Sequence, residues 1–184
     1  MNDISARSQA AVYAVAGQIG WFACVLGASH GKAWIGVLVV AAMTLGHLLA
    51  ARERRRAFLW LCLVTLCGWS WECAVARTGW VQYPGGVATG FAPYWMAALW
   101  LLFALQINPV FHWLRGRWAL AALLGGVAGP LSFRAGAALG AVTLVVPYAA
   151  LALIAAGWVV WLPALVWFGK RMDDAEASRA ASSA

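Results

Sequence analysis

The chain has few charged residues, since Asp, Glu, Lys and Arg together make up only 10% of its 184 residues. Soluble domains carry about 25% charged residues, which cover the surface that faces water. Hydrophobic residues account for 64% of this sequence, so a soluble fold of this size would lack the polar surface it needs. The composition therefore excludes an ordinary soluble domain and indicates that lipid is the main solvent.

Signatures of metal and cofactor binding are also missing. The sequence has no HExxH zinc motif, Walker loop, GxGxxG fingerprint or CxxCH haem attachment site. Its four cysteines include no CxxC pair, and His47 and His112 have no third ligand of the same kind. We therefore predict no metal, no cofactor and no disulfide framework, with the cysteines acting as buried free thiols.

The scarcity of polar surface also excludes nucleic acid as a partner. The net charge is +7, but the basic residues stand in short clusters between apolar runs rather than on a folded polar face. On a membrane protein, such clusters set the orientation and contact anionic headgroups. We therefore expect membrane lipids, and anionic headgroups in particular, as partners.

Long apolar runs are the main feature that the sequence does have. Six of them, at about 10–28, 33–50, 57–76, 93–113, 118–137 and 148–168, approach the roughly 20 residues that a helix needs to cross hydrocarbon. Segments of alternating hydrophobicity are missing, so we predict no strands. The fold class is therefore all-α: a polytopic bundle of six transmembrane helices, with the transmembrane domain over residues 10–169.

Tryptophan is abundant, with 13 residues, and its amphipathic ring favours the membrane interface. Seven tryptophans lie near predicted helix ends: Trp34, Trp60, Trp80, Trp95, Trp113, Trp118 and Trp167. Five lie deeper, where they either pack in the core or line a cavity: Trp21, Trp69, Trp71, Trp100 and Trp158.

Basic residues are unevenly divided between the two ends of the predicted bundle. With the N-terminus inside, ten of the 13 Lys and Arg residues face the cytoplasm and three face outward. The positive-inside rule therefore predicts both termini in the cytoplasm, with residues 1–9 as a short segment and residues 170–184 as a disordered tail. Four arginines between the second and third helices are the candidate headgroup-binding residues: Arg52, Arg54, Arg55 and Arg56.

Ionisable side chains inside a span are costly, so each is a functional candidate. Glu72 and Arg134 lie about 22 and 24 Å from the cytoplasmic helix ends, at the rise of an α-helix. This shared depth predicts an interaction between them, with Ser132 and Tyr148 nearby in an outer polar layer. Two alternatives are a salt bridge that only fixes helix packing, and an Arg134 that snorkels to the outer headgroups.

A second, inner polar layer is predicted near the cytoplasmic interface. His47 and Asn108 each lie about 8 Å from a helix end, and Gln106 lies slightly deeper. In one interpretation, these neutral groups serve only to hydrogen-bond across helices. In the alternative, they form a small-molecule or headgroup site, or one station of a proton path.

The fifth predicted helix contains Pro130, which favours a kink that either borders a ligand site or fits the helix to its neighbours. Gly125 and Gly129 in the same helix have the spacing of close helix packing, either within one chain or in a homodimer.

Several segments resemble a family of small bacterial inner-membrane proteins catalogued as a domain of unknown function, the 2878 family of such domains. The similar segments are residues 21–28, His47-Leu48, the run 92–114, residues 129–133 and residues 135–142. Two positions depart from the family pattern: Glu72-Cys73 stands where members usually have Asp-Ser, and Pro109 stands where they usually have His. The latter departure weakens any role that requires a histidine there.

The resemblance implies a six-helix, multi-pass protein of the bacterial inner membrane. Relatives are often encoded beside cyclopropane-fatty-acid-synthase-like methyltransferases and flavin oxidoreductases, which implies a role in lipid modification or envelope stress. The first functional hypothesis is therefore an accessory protein that holds lipid or docks a soluble lipid-modifying enzyme at its arginines. The alternatives are a small-molecule or lipid carrier, and a membrane-embedded enzyme that uses Glu72 and Arg134. The sequence leaves open whether the chain catalyses anything.

Overall fold

Six helices follow one another along the chain in the computed structural model, which describes the backbone of residues 3–84 and 90–182 and the side chains of residues 7–84 and 90–175. The helices are α1 (Asp3–Ser29), α2 (Ala33–Ala50), α3 (Arg54–Arg77), α4 (Tyr94–Phe111), α5 (Trp118–Ala138) and α6 (Pro147–Ser182). Each contains a stretch long and apolar enough to cross a membrane. The predicted all-α fold class is therefore confirmed. Residues 85–89 of the predicted polar loop, and residues 1–2 and 183–184, lie outside the described residues.

The last helix is longer than the sequence analysis predicted. We expected it to end near residue 168 and to be followed by a disordered tail, whereas α6 continues to Ser182. Alanine and acidic residues make up half of residues 169–182, and Lys170 donates to Asp174 at 2.9 Å in an i, i+4 pair. The helix extension therefore has local support that the small, polar composition of the segment did not reveal.

Two short strands also correct the sequence analysis, which predicted none. Val81–Gln82 (β1) pairs antiparallel with Thr143–Leu144 (β2). The N–H of Val145 extends the contact by donating to the carbonyl of Trp80 at 2.8 Å. A pairing of two residues is too short to produce an alternating pattern, and it joins the α3–α4 and α5–α6 loops.

α4 is the central helix, since it packs against α1, α2, α3 and α6, while α5 packs chiefly against α6. Glycines permit the closest approaches. A Cβ at Gly36 would overlap the backbone of Cys24, and one at Gly125 would overlap the carbonyl of Trp158. The chain order gives the bundle two ends, which we name from their features. The arginine end carries the α2–α3 turn, and the strand end carries β1 and β2.

Candidate functional site

Glu72 on α3 is buried, with 1% of its surface exposed, and is the one buried charged side chain among those the structure describes. Trp100 of α4 donates its indole N–H to Oε1 at 3.2 Å. Tyr83, which follows β1, donates its hydroxyl to Oε2 at 3.2 Å. Two neutral donors thus satisfy the two carboxyl oxygens, and no cation among the described side chains forms an ion pair with Glu72.

The predicted interaction between Glu72 and Arg134 is wrong. Arg134 lies on the exposed face of α5, a helix that packs chiefly against α6 rather than against α3. The rise per residue gives only a depth along a helix, and depth does not give the direction in which a side chain points. Snorkelling to headgroups, the second interpretation of Arg134, stays a prediction.

The rest of the outer polar layer does not assemble either. Ser132 accepts a hydrogen bond from the indole N–H of Trp21 at 3.1 Å. Tyr148 has 91% of its surface exposed and lies away from the core. Of the four predicted residues of this layer, only Glu72 is therefore in the core, and the other three are exposed.

Two further indole rings pack against Trp100, the residue that donates to Oε1 of Glu72. Trp100 stacks on Trp158 with ring centroids 5.2 Å apart, and the edge of Trp161 approaches at 5.4 Å. Gly68 provides the space for Trp100, because a Cβ there would overlap its ring. The deep tryptophans at positions 100 and 158 thus pack together in the core. The buried indole N–H groups of Trp71 and Trp158 have no hydrogen-bond partner among the described residues.

The hydroxyl of Tyr83 stays protonated over the physiological pH range. Burial raises the pKa of the Tyr83 phenol well above its ordinary value, and the neighbouring Glu72 carboxylate raises that pKa further. Tyr83 therefore acts as a fixed hydrogen-bond donor. It fastens the loop after β1 to α3 in the interior of the bundle.

The inner polar layer separates into two sites. The Tyr13 hydroxyl and Nδ1 of His47 share a hydrogen bond of 2.7 Å between α1 and α2. Gln106 lies beside Tyr13 in the wall of a cleft of about 240 Å³ between α1, α2 and α4. Asn108, in contrast, belongs to a different contact at the arginine end, so the three predicted residues do not share one site.

Asn108 helps to fasten α6 to α4. Its Nδ2 donates to Asp173 at 3.0 Å, and Arg115 donates both to the Asn108 carbonyl, at 3.2 Å, and to the Asp173 carboxylate. Gly169 leaves room for the Asn108 side chain. Asn108 is therefore a packing residue, and Asp173 is a partner that the sequence analysis missed.

Three of the four predicted headgroup arginines, Arg54, Arg55 and Arg56, line a cavity at the arginine end. This arginine cavity has a volume of about 470 Å³, and its walls are Glu53, Arg54, Arg55, Arg56 and Leu59. Arg52 does not contribute to the walls. α3 begins at Arg54 with no side-chain cap and no acidic residue in its first turn, so the free N–H groups of that turn add positive potential to the three guanidinium groups.

Arg56 is held more tightly than its neighbours. Its Nη2 donates to the carbonyl of Met172 in α6 at 2.6 Å, while its buried Nη1 has no partner. Arg54 donates to the carbonyl of Leu49 at a longer distance, 3.3 Å. The arginine cavity thus holds one fixed guanidinium with a free donor and two exposed ones.

The free thiols are less uniformly buried than predicted. Cys24 and Cys73 are buried, Cys62 is half-buried and Cys67 is exposed. The thiol sulfur of Cys73 accepts the N–H of Ala92 at 3.4 Å. It therefore supports the start of α4 next to Glu72.

The sequence analysis also missed a GxSxG match at residues 27–31, in which Ser29 is the central serine. The nucleophile elbow that this motif can mark lies on a strand–turn–helix. Here the match spans the turn between α1 and α2, and the Ser29 hydroxyl donates to the carbonyl of Leu26 at 3.0 Å. The structural context thus argues against a hydrolase nucleophile.

The six apolar helices define a multi-pass membrane protein. The model of the family described as "Protein of unknown function (DUF2878)" matches residues 10–164, so the chain belongs to that family. The matched region includes all six spans apart from the ends of α1 and α6. No curated protein and no solved structure matches the chain.

Proposed function

We propose that the chain is an accessory protein of membrane-lipid modification that binds the headgroup of an anionic phospholipid in the arginine cavity. The observation that carries this proposal is the cavity itself, in which three arginines of one helical turn meet the free N–H groups of the α3 N-terminus. Guanidinium groups and helix N-termini are both suited to phosphate oxygens. The unpartnered Nη1 of Arg56 supplies a donor that a phosphate oxygen would satisfy.

The surface beside the cavity suits acyl chains. Leu59 lines the cavity and has 55% of its surface exposed. Leu63 and Leu66 follow at helical spacing, with 53% and 61% exposed. A phosphate in the cavity would therefore place its chains along an apolar stripe on the same helix.

Glu53 makes one headgroup class more suitable than others. Glu53 lines the cavity together with the three arginines, and a carboxylate accepts hydrogen bonds but donates none. A headgroup with one phosphate and free hydroxyls, as in phosphatidylglycerol, satisfies both the arginines and Glu53. We therefore propose phosphatidylglycerol as the lipid.

The setting of this activity is also a proposal. The excess of basic residues at the arginine end supports a cytoplasmic position for that end, with both termini inside, in the bacterial inner membrane. A soluble lipid-modifying enzyme would then meet the bound lipid at the arginine end. A homodimer stays a prediction that the mass of the intact protein will test.

Native mass spectrometry from nanodiscs with equimolar phosphatidylglycerol and phosphatidylcholine tests the proposal. We expect the wild type to retain phosphatidylglycerol with about a tenfold preference, and Arg54→Gln/Arg55→Gln to lose that preference. The matched control, Arg117→Gln/Arg171→Gln, removes the same charge outside the cavity and should keep the preference. Equal retention of phosphatidylglycerol by the cavity variant and the control would contradict the proposal.

A second candidate function is membrane-embedded acid–base chemistry. Its only support is that Glu72 is buried beside neutral hydrogen-bond donors. It no longer includes Arg134, so the group expected to stabilise negative charge is missing from it. Lipid analysis of vesicles that contain wild type or Glu72→Gln tests this candidate. If Glu72 performs chemistry, a modified lipid should be found only in wild-type vesicles. If Glu72 is structural, Glu72→Gln should shift the unfolding transition, and the lipids of both vesicles should be the same.

A further inference from the structure

The cleft beside Tyr13 and Gln106, which lies between α1, α2 and α4, is separate from the arginine cavity. It has a volume of about 240 Å³, and we name it the α1–α4 cleft. Its walls include Val12, Tyr13, Ala16, Met43, Leu105 and Gln106. Val12 has 65% of its surface exposed, so this wall reaches the lipid-facing side of the bundle. No charged side chain among the described residues lines the cleft, which suits a neutral occupant.

Gln106 gives the cleft one polar group with unused hydrogen-bonding capacity. Its Nε2 donates to the Leu102 carbonyl of its own helix at 3.4 Å, which is long for such a bond. A carboxamide has two N–H donors and a carbonyl acceptor. Inside a bilayer, where water is scarce, these free groups favour a ligand with a hydrogen-bonding oxygen.

α1 is shaped to hold Gln106 at this place. Gly17 is buried, and a Cβ at that position would overlap the Gln106 carboxamide. The neighbouring Tyr13 hydroxyl is already bonded to His47 at 2.7 Å. That bond fixes the Tyr13 ring as part of the wall and leaves the Gln106 carboxamide as the group that faces an occupant.

The size of the cleft indicates how much of a ligand it holds. Pockets that enclose a whole small molecule measure about 300–1,000 Å³, and the α1–α4 cleft is smaller. Part of the ligand therefore stays in the surrounding lipid. Gln106 lies five residues before the end of α4 at Phe111, about 8 Å along the helix, which is near the boundary between headgroups and hydrocarbon.

We propose that the α1–α4 cleft binds one acyl chain of a neutral or zwitterionic glycerolipid, with the Gln106 N–H donating to its ester carbonyl oxygen. Val12, Ala16 and Leu105 line the cleft and would contact the chain. This lipid site is distinct from the arginine cavity, because the described residues that line the two do not overlap and differ in charge. The bilayer itself supplies the ligand laterally.

Photocrosslinking in phosphatidylcholine nanodiscs without anionic lipid tests this site independently of the arginine cavity. The probe is phosphatidylcholine with a diazirine on one acyl chain, and peptide mass spectrometry maps the adducts. We expect wild-type adducts at Leu105, and about a tenfold loss of these adducts in Ala16→Phe, which fills the cleft. The matched control, Ala11→Phe, adds the same ring at an exposed position of α1 outside the cleft and should keep them.

A competition with unlabelled lipid tests the hydrogen bond. Ester-linked phosphatidylcholine should displace the probe from the wild type better than its ether-linked analogue, which lacks the carbonyl. In Gln106→Leu, the two lipids should displace the probe equally well. The variant should unfold at the same temperature as the wild type. Adducts at Leu105 that survive Ala16→Phe, or a wild type that does not distinguish ester from ether, would overturn the proposal.

Discussion

Glu72 is the most unusual side chain in the described part of the chain, because it is a buried carboxyl group without a basic partner. Its hydrogen bonds come from Trp100 and Tyr83. Trp100 is buried and stacks on Trp158, and the partly buried Tyr83 packs against Trp95. An unsatisfied polar group in such surroundings is costly. The two donors therefore account for the tolerance of an acidic side chain between α3 and α4.

Removing the Tyr83 hydroxyl should destabilise the protein. Tyr83→Phe leaves Oε2 of Glu72 without its donor, so we expect a loss of about 1–3 kcal/mol in the free energy of unfolding. Circular dichroism during SDS titration in mixed micelles measures this loss. Tyr148→Phe is the matched control, since Tyr148 is 91% exposed and should unfold like the wild type. Identical curves for the two variants would contradict the role of Tyr83.

The polar residues show what one sequence can and cannot predict about a membrane site. Glu72 was recognised as a candidate because ionisable residues in spans are rare, and the structure places it in the core. Its partners, Trp100 and Tyr83, were not recognised, because hydropathy gives depth and not direction. Arg134 was predicted at nearly the same depth as Glu72, and the structure places it on the exposed face of α5.

Glycine contacts decide how closely the helices approach. Gly125 of α5 faces the carbonyl of Trp158 in α6, which as a backbone atom cannot rotate away. Gly46 of α2 has open space in the direction of a Cβ. The same substitution at the two positions therefore separates the cost of helix packing from the change in helix propensity.

Gly125→Ala should weaken the contact between α5 and α6. We expect a destabilisation of about 1–3 kcal/mol from overpacking, whereas Gly46→Ala should leave stability unchanged or slightly higher. Thermal unfolding of both variants in the same detergent provides the comparison. A Gly125→Ala variant as stable as Gly46→Ala would show that the two helices are not in close contact.

The α6 extension has two attachments at the arginine end. Arg56 donates to the Met172 carbonyl, and Arg115 pairs with Asp173. Arg115→Gln should loosen the extension, so trypsin should cleave after Lys170 and Arg171 several times faster than in the wild type. Arg117→Gln, which changes an exposed arginine at the start of α5, should leave the cleavage rate unchanged. Equal rates for both variants would contradict the anchoring of α6.

The helices were largely predictable from the sequence, because each span is a long apolar run. α2 has the predicted bounds, and α3, α4 and α5 begin and end within a few residues of them. The α6 extension and the β1–β2 pair were missed. The α6 extension is held by Arg56 and Arg115, and β1 is held by β2. These contacts join segments far apart in the sequence, so hydropathy along the chain does not reveal them.

The orientation of the whole bundle stays a prediction that follows from its charge asymmetry. Ten basic residues at one end against three at or near the other favour both termini in the cytoplasm. We expect alkaline phosphatase to be inactive when fused at the C-terminus and active when fused after Gly79, with green fluorescent protein showing the reverse. Activity of the C-terminal phosphatase fusion would contradict the predicted orientation.

Lipid selection at the arginine cavity is tested most directly by crosslinking from inside it. A photoreactive p-benzoylphenylalanine replaces Leu59, which lines the cavity, or Leu123 of α5, which is similarly exposed and lies elsewhere. The bilayer contains a minor fraction of phosphatidylglycerol in phosphatidylcholine. We predict that adducts from position 59 are mainly phosphatidylglycerol, while those from position 123 follow the bilayer composition. Adducts that follow the bilayer composition at both positions would contradict headgroup binding in the cavity.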